Sequence, residues 1–543
     1  MLAPTPAPPN ARWSRGWHLA RVLALLTCAA MGSACASLPS DVVRTPSQAW
    51  SAPGQTPLGQ LTSQRRNAAA ARSDSGFHLL DSVDAALTSR LALIESARHT
   101  LDLQYYAVHA DASTELLLQR IRQAAQRGVR VRLLLDDFNT AGKDAQVLRL
   151  GLEPNIAIRL FNPLPGPRSS FVARIVGSLH DMDRIQKRMH NKLFIADNAW
   201  GITGGRNLGD AYFGSDEKSN FVDLDVLAAG RIVRDMSASF DRYWNDELAY
   251  PMDSLLSPKD LERLREQGLA RSAPDAPAGA VLPGVDASEI ASVRRAPMDL
   301  ARVPLVWAPS VLLVDKPGKL SADEEAGAQE TVVDGLLGLM REARQEVLII
   351  SPYFVPGRQM MDTFAELRAR GIAVRVLTNS LASNDAPAAH AGYARYRPDL
   401  IALGVQLHEM RADVSAEGAS AGSGFGIGGS KGLSSRASLH SKAVLIDRRL
   451  NVLGSMNLDL RSQLQNSEVA LLIRSTRLAQ QGARLIESTI ARGAYRVTVE
   501  DGVLVWRAPP GAAFGDERTE PLASWSLRLL VKLLGPLAPE EML

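Results

Sequence analysis

Short runs of nearly continuous apolar residues alternate along the chain with longer stretches whose apolar residues recur at helical spacing. Residues 85–97 follow the helical pattern and lead into the short run 101–105. A second helical pattern covers 114–127, and after Arg127-Gly128 comes the apolar run 129–135. The same succession returns later, with helical spacing over 331–343, the run 347–350, helical spacing over 359–370, and a further run after Arg370-Gly371. Mostly apolar strands alternating with amphipathic helices predict α/β layers around a largely buried sheet.

The return of the pattern is an internal repeat. Ala97-Arg98 recurs as Ala343-Arg344, 246 residues on, and Arg127-Gly128 as Arg370-Gly371, 243 residues on. A length of 543 residues suits two domains with tails. Residues 76–255 and 331–500 are predicted to form tandem α/β domains packed as a pseudo-twofold dimer, with 256–330 connecting them.

The ends differ from this body. Arg12, Arg15 and Arg21 precede an apolar run over 22–31 and the small residues Gly32-Ser33-Ala34-Cys35-Ala36. Residues 1–36 therefore read as an export leader, its apolar run well short of the ~20 residues that span a bilayer. Ser33-Ala34-Cys35 resembles a bacterial lipoprotein box, which marks Cys35 for lipidation, although Gly32 stands where that pattern prefers Leu. Residues 37–75 lack periodicity and read as a flexible tether. Within 501–543, the stretch 524–534 is apolar except for Arg528 and Lys532, four residues apart on one helical face. It reads as a helix in a membrane interface or as one docked on the body. The expected location is the bacterial cell envelope, at a membrane. The Gly/Ser run 415–435 reads as a mobile flap or a linker.

Composition narrows the class. With 46% apolar and 22% charged residues the chain is a folded protein, and a net charge of +3 argues against holding nucleic acid by bulk charge. Cys28 and Cys35 are the two cysteines, so the body has no disulfide framework and no cysteine zinc site.

The repeat carries a motif. His190, Lys192, Asp197, Gly204, Gly205 and Asn207 have the spacing of His440, Lys442, Asp447, Gly454, Ser455 and Asn457, 250 residues on. On a strand, His and Lys two apart project to one face. Joined halves would bring two imidazoles, two ammonium groups and two amides to one point. That set suits a phosphodiester, whose oxygens need fixed cationic and N–H donors as charge shifts.

These motifs resemble those of the phospholipase D superfamily. More narrowly, Gln104-Tyr105-Tyr106, Leu134-Leu135-Asp136-Asp137, residues 188–192 and residues 204–214 resemble the C-type bacterial cardiolipin synthases. The resemblance implies one active site shared by both halves, without metal or cofactor. It implies His190 as nucleophile, forming a phosphohistidine, and His440 as general acid and base. Lys192, Lys442, Asn207 and Asn457 would bind phosphate oxygens. A histidine nucleophile also needs an acceptor on its other ring nitrogen. Glu468 fits that role for His440 and Asp223 for His190, with Asp225 as a rival. Asp197 and Asp447 complete the catalytic motifs and read as anchors of their turns.

The implied activity is transfer of a phosphatidyl group to phosphatidylglycerol, giving cardiolipin, with phosphatidylethanolamine as donor. No nucleic acid or obligate protein partner is expected. The same machinery with water as acceptor is a phospholipase D, and with DNA a nuclease. A different class is a non-catalytic lipid-binding lipoprotein. Tyr105, Tyr106, Tyr353 and Phe354 either line a substrate channel or fill core. Arg184, Lys187 and Arg188 either steer anionic headgroups or form a solvated face.

Overall fold

Each half of the chain builds one nine-stranded sheet. The computed structural model describes residues 38–142, 144–166, 168, 171–178, 181–216, 219–269, 282, 285–321, 331–413 and 436–535. The leader with Cys28 and Cys35, and the Gly/Ser run 415–435, lie outside the described residues. In spatial order the first sheet runs Val306–Trp307, Ser75–Leu80, Asp225–Gly230, Trp200–Gly204, Leu193–Ala196, Thr100–Tyr105, Arg130–Asp136, Ile156–Phe161 and Ala249–Pro251. The second runs Ser310–Val314, Val469–Arg474, Leu450–Gly454, Ala443–Ile446, Glu346–Ile350, Ala373–Asn379, Gln406–Met410, Ala494–Glu500 and Val503–Arg507. The two motif strands hold the same place in the two sheets. Each pairs antiparallel with the strand that opens its own parallel trio.

Period-2 alternation sorts the motif strands into layers. Phe194 and Ala196 point into the first half's own core, under the helices Val83–Ser96 and Ala112–Gln126. Val444 and Ile446 do the same in the second half, under the helix Val332–Arg341. The intervening residues Leu193, Ile195, Ala443 and Leu445 meet in one shared core with Leu348, Leu453 and Leu471. The halves are thus welded by the reverse faces of the two motif strands. The predicted tandem α/β architecture is present. Side-chain caps define the helix starts, with Ser82, Asp111 and Thr331 accepting main-chain N–H groups of their first turns.

Three boundaries move. Residues 38–74 are not a free tether. They include the helix Pro57–Ala68, and Trp50 stacks on His99 at 4.0 Å. Arginines of the first sheet clip the extended part through its carbonyls: Arg130 to Gln48, Arg132 to Ser47 and Arg159 to Thr45, at 2.5, 2.9 and 2.7 Å. The connecting segment also joins the sheets, adding Val306–Trp307 to the first and Ser310–Val314 to the second. The second sheet continues past residue 500 into Val503–Arg507.

Candidate active site

Backbone pairing across the halves builds the site. Strand Arg436–Leu439 runs parallel to Ser219–Val222 of the first half. His440 and Ser441 both donate their N–H to the Val222 carbonyl, at 2.8 and 3.1 Å. The converse pairing joins Met189 to Ser467, with His190 N–H donating to the Ser467 carbonyl at 3.0 Å. Each histidine is therefore laid beside a residue of the opposite half that immediately precedes a carboxylate.

This crossing corrects the expected partnerships. His190 Nδ1–H donates to both carboxylate oxygens of Glu468 at 3.0 Å, and His440 Nδ1–H donates to Asp223 Oδ2 at 2.7 Å. Each orienting carboxylate serves the histidine of the other half, not its own. Asp225 is no rival, being held by Arg90 at 2.9 Å and Arg206 at 3.4 Å. With Nδ1 anchored, Nε2 of each imidazole is left for chemistry.

The lysines fold back, Lys192 Nζ donating to the His190 carbonyl at 2.8 Å and Lys442 Nζ to the His440 carbonyl at 2.7 Å. The motif aspartates stand apart from the imidazoles. Asp197 accepts the N–H groups of Arg98, His99 and Thr100, and Asp447 those of Arg344, Gln345 and Glu346. Each fastens its turn to the start of the neighbouring strand. Such bonds to a charged acceptor contribute about 1.5–3 kcal/mol each. The two amides are engaged unequally. Asn207 donates to the Tyr212 hydroxyl at 3.0 Å and accepts from Ala107 N–H at 3.2 Å. Asn457 Oδ1 is buried with no partner among the described residues.

Several site residues were not singled out from the sequence. Ser455 and Ser462 hydroxyls donate to Glu468, the latter at 2.9 Å. Asp315 accepts the Glu468 N–H at 2.9 Å. Asp136 takes the N–H of Met189 at 2.8 Å, just before His190, and Asn379 takes that of Leu439 at 2.8 Å, just before His440. The repeat offset of 243 aligns Asp136 with Asn379 and was the signal available for both. Tyr106 meets His190 edge-on at 5.1 Å, and Tyr212 meets His440 likewise at 5.3 Å. Tyr105 lies in the core beside Arg90, and Phe354 is also core. The basic cluster is already engaged. Arg188 is buried against Asp136, Arg184 bonds Asp181 and Asn162, and Lys187 donates to the Ser321 carbonyl.

Burial sets the protonation. It holds His190 well below the ordinary histidine value, helped by Lys192 and Lys442, so this imidazole is neutral near pH 7. Burial also brings Lys192 down to about 7 and Lys442 to about 8, against the pull of Glu468 and Asp223. Glu468 is pushed up to about 7 by burial, opposed by Lys192 and the two serines. Burial acts upward on Asp223 too, but His440, Lys442 and Arg206 outweigh it and hold this carboxyl below its usual range. His440 is lowered by burial and Lys442, with Asp223 opposing. An anion between the two lysines would restore both ammonium charges. Among the described residues no three His, Cys, Asp or Glu side chains gather into a set that could hold a metal.

A family profile described as "Cardiolipin synthase, PLD-like domain" matches residues 91–244 and 336–490, once in each half. Cardiolipin synthase C of Escherichia coli (strain K12) is 39% identical over 405 residues, covering 74% of this chain and 82% of its own length. Cardiolipin synthase A of Pseudomonas entomophila (strain L48) is 26% identical over 432 residues, covering 78% and 70%. Among solved structures, the phosphatidylserine synthase of Haemophilus influenzae Rd KW20 matches with a TM-score of 0.50 at 16% identity, over 80% of this chain and 92% of its own. That last likeness is one of fold.

Proposed function

The chain belongs to the family of PLD-like cardiolipin synthases and is an enzyme of the phosphatidyltransferase, phospholipase D type; from that premise we propose that it makes cardiolipin through a phosphohistidine on His190. Nε2 of His190 attacks the donor phosphorus, the bond to the headgroup oxygen breaks, and His440 gives that oxygen its proton. The acceptor's glycerol hydroxyl then returns a proton to His440 and attacks phosphorus, and the N–P bond breaks. Lys192 and Lys442 hold the non-bridging oxygens, with Asn457 and the second N–H of Asn207 beside them.

The observation that carries this reading is the unequal pair of crossed contacts. A strongly neutral His190 suits a nucleophile, while an ionised Asp223 behind His440 suits an imidazolium that must form and discharge. The resemblance to the C-type synthases supports phosphatidylglycerol as acceptor and phosphatidylethanolamine as donor.

The site of action is a membrane of the bacterial cell envelope. No helix among the described residues is long and apolar enough to cross a membrane. The helix Trp525–Leu534 sets Val531, Leu527 and Leu534 against Leu381, Ala382 and Ala391. Its other side presents Trp525, Leu529, Leu530 and Leu533 outward, Trp525 at 75% exposure. An apolar face with an indole at its start fits a lipid surface, and the opposite side of the helix packs on the turn that follows strand Ala373–Asn379.

The test is to incubate the purified protein with vesicles of phosphatidylglycerol, with and without phosphatidylethanolamine, and to identify the lipids formed. Cardiolipin is expected, with a phosphorylated histidine in the quenched enzyme. Phosphatidic acid as the sole product would overturn the transferase reading.

A further inference from the structure

The two flanks of the site carry opposite charge. On the His190 side stands Arg461, in the short helix Leu460–Leu464. Its charge acts on the His190 imidazole and on Tyr106, and its Nε is buried with no partner among the described residues. On the His440 side stands Asp385, exposed, its Oδ1 accepting from the Tyr353 hydroxyl at 2.8 Å. No Lys, Arg or His among the described residues forms an ion pair with it.

Asn379 places Asp385 there. Its Oδ1 accepts from Leu439 N–H at 2.8 Å, and its Nδ2 donates to the carbonyls of Leu439 at 2.9 Å and Pro352 at 3.3 Å. One side chain thus ties the residue before His440 to the residue before Tyr353. Asp385 follows six residues later, in a turn fixed by Ser383 Oγ donating to the Met410 carbonyl at 2.9 Å and by Ala386 N–H donating to Asn384 at 2.8 Å. The field of Asp385 reaches Lys442 and the Tyr212 hydroxyl, and the ring of Tyr212 meets His440.

In-line displacement puts nucleophile and leaving group on opposite sides of phosphorus. With His190 attacking, the departing alcohol points to His440, and past it to Asp385, Tyr353 and Tyr212. We propose that Asp385 and Tyr353 form a subsite for a primary ammonium on the departing headgroup, selecting a zwitterionic donor phospholipid over one with a neutral headgroup. The carboxylate pairs with the ammonium in a charge-assisted hydrogen bond, and the Tyr353 hydroxyl holds the carboxylate in place for it. Arg461 repels the same cation from the His190 side, so the charge pattern also sets the donor's direction. In the second step the acceptor enters where the headgroup left, and Asp385 can accept from its remaining glycerol hydroxyl. The subsite rests on the transfer chemistry proposed above, with His190 as nucleophile.

The experiment uses the full-length enzyme and mixed vesicles of phosphatidylethanolamine and phosphatidylglycerol. Released ethanolamine and released glycerol are measured together with the lipid products. Wild type is expected to favour ethanolamine release. Asp385→Asn should lower the ethanolamine-to-glycerol ratio about tenfold, and Tyr353→Phe about threefold, by the strength of an ion pair and of its supporting hydrogen bond. A wild type that releases both headgroups alike overturns the subsite. So does an Asp385→Asn enzyme in which both releases fall equally, since a structural role alone would do that. Phosphatidic acid in place of cardiolipin would overturn the transferase reading, while the headgroup ratio would still decide the subsite.

Discussion

His190 faces a glutamate held by two serine hydroxyls, whereas His440 faces an aspartate held by the main-chain N–H of Leu224 and standing over a glycine. The two half-sites share their motif and their backbone pairing, so this difference lies in the second layer of residues. At position 455 a serine donates to Glu468, while at the equivalent position 205 a Cβ would come within 2.3 Å of Asp223 Oδ1. The shorter acid lies against the backbone of residue 205, and only glycine leaves it room. The outcome is chemical: Glu468 sits at about 7 beside a neutral imidazole, and Asp223 stays ionised behind His440. Burial lowers both imidazoles, His190 further than His440, so a duplicated fold has set two like histidines apart, as the proposed division into nucleophile and proton carrier asks.

The comparison breaks hardest at the histidines. His190→Ala and His440→Ala should each lower turnover by roughly 10³- to 10⁴-fold, the scale of losing a nucleophile or a general acid. With a donor bearing a nitrophenol leaving group, which needs no proton, His440→Ala should still accumulate phosphohistidine, and His190→Ala should not. Mass spectrometry of the quenched protein reads this directly, and an adduct on His440 would reverse the assignment. The carboxylates come next. Glu468→Gln and Asp223→Asn should each cost roughly 10²-fold in kcat. The nitrophenol donor should recover much of the Asp223→Asn loss and little of the Glu468→Gln loss, so equal recovery would erase the distinction.

The smallest effect is a shift in pH dependence. Protonation of Glu468 removes the negative charge that supports the His190 ring, so kcat/KM should fall below pH about 7, and the loss of charge on Lys192 and Lys442 should lower it above about 7 to 8. The limbs belong to the coupled set of groups rather than to single residues. Ser455→Ala removes a donor that favours the carboxylate form, so it should move the acid limb upward by about one unit and leave the alkaline limb in place. A downward shift would contradict the role given to Ser455.

Much of this was legible in the sequence. The repeat offsets, the apolar runs and the motif spacing led to two α/β domains and to the paired imidazoles and lysines, and a histidine's need for an acceptor led to Asp223 and Glu468 as candidate orienting acids. Their partnership was not legible, because it is decided by the bridge of Val222 to His440 and of Ser467 to His190, and main-chain pairing between distant segments leaves no side-chain pattern. The same reason hid the packing of residues 38–74, which the sheet's arginines grip by carbonyl groups that every residue possesses. The basic cluster at 184–188 misled in the opposite way. Its charges were visible, but not the buried acid and the carbonyl that occupy them.

The crossing of partners has a bearing on how the molecule comes into being. Glu468 lies 278 residues beyond His190, and Asp223 lies 217 before His440. During synthesis the first half emerges with His190 lacking its Glu468 partner and with His440 not yet translated. A chain not yet translated as far as residue 468 therefore cannot hold both crossed pairs. Both pairs come together only when the second half closes onto the first, so under the proposed roles completion of the fold would itself be the act of activation.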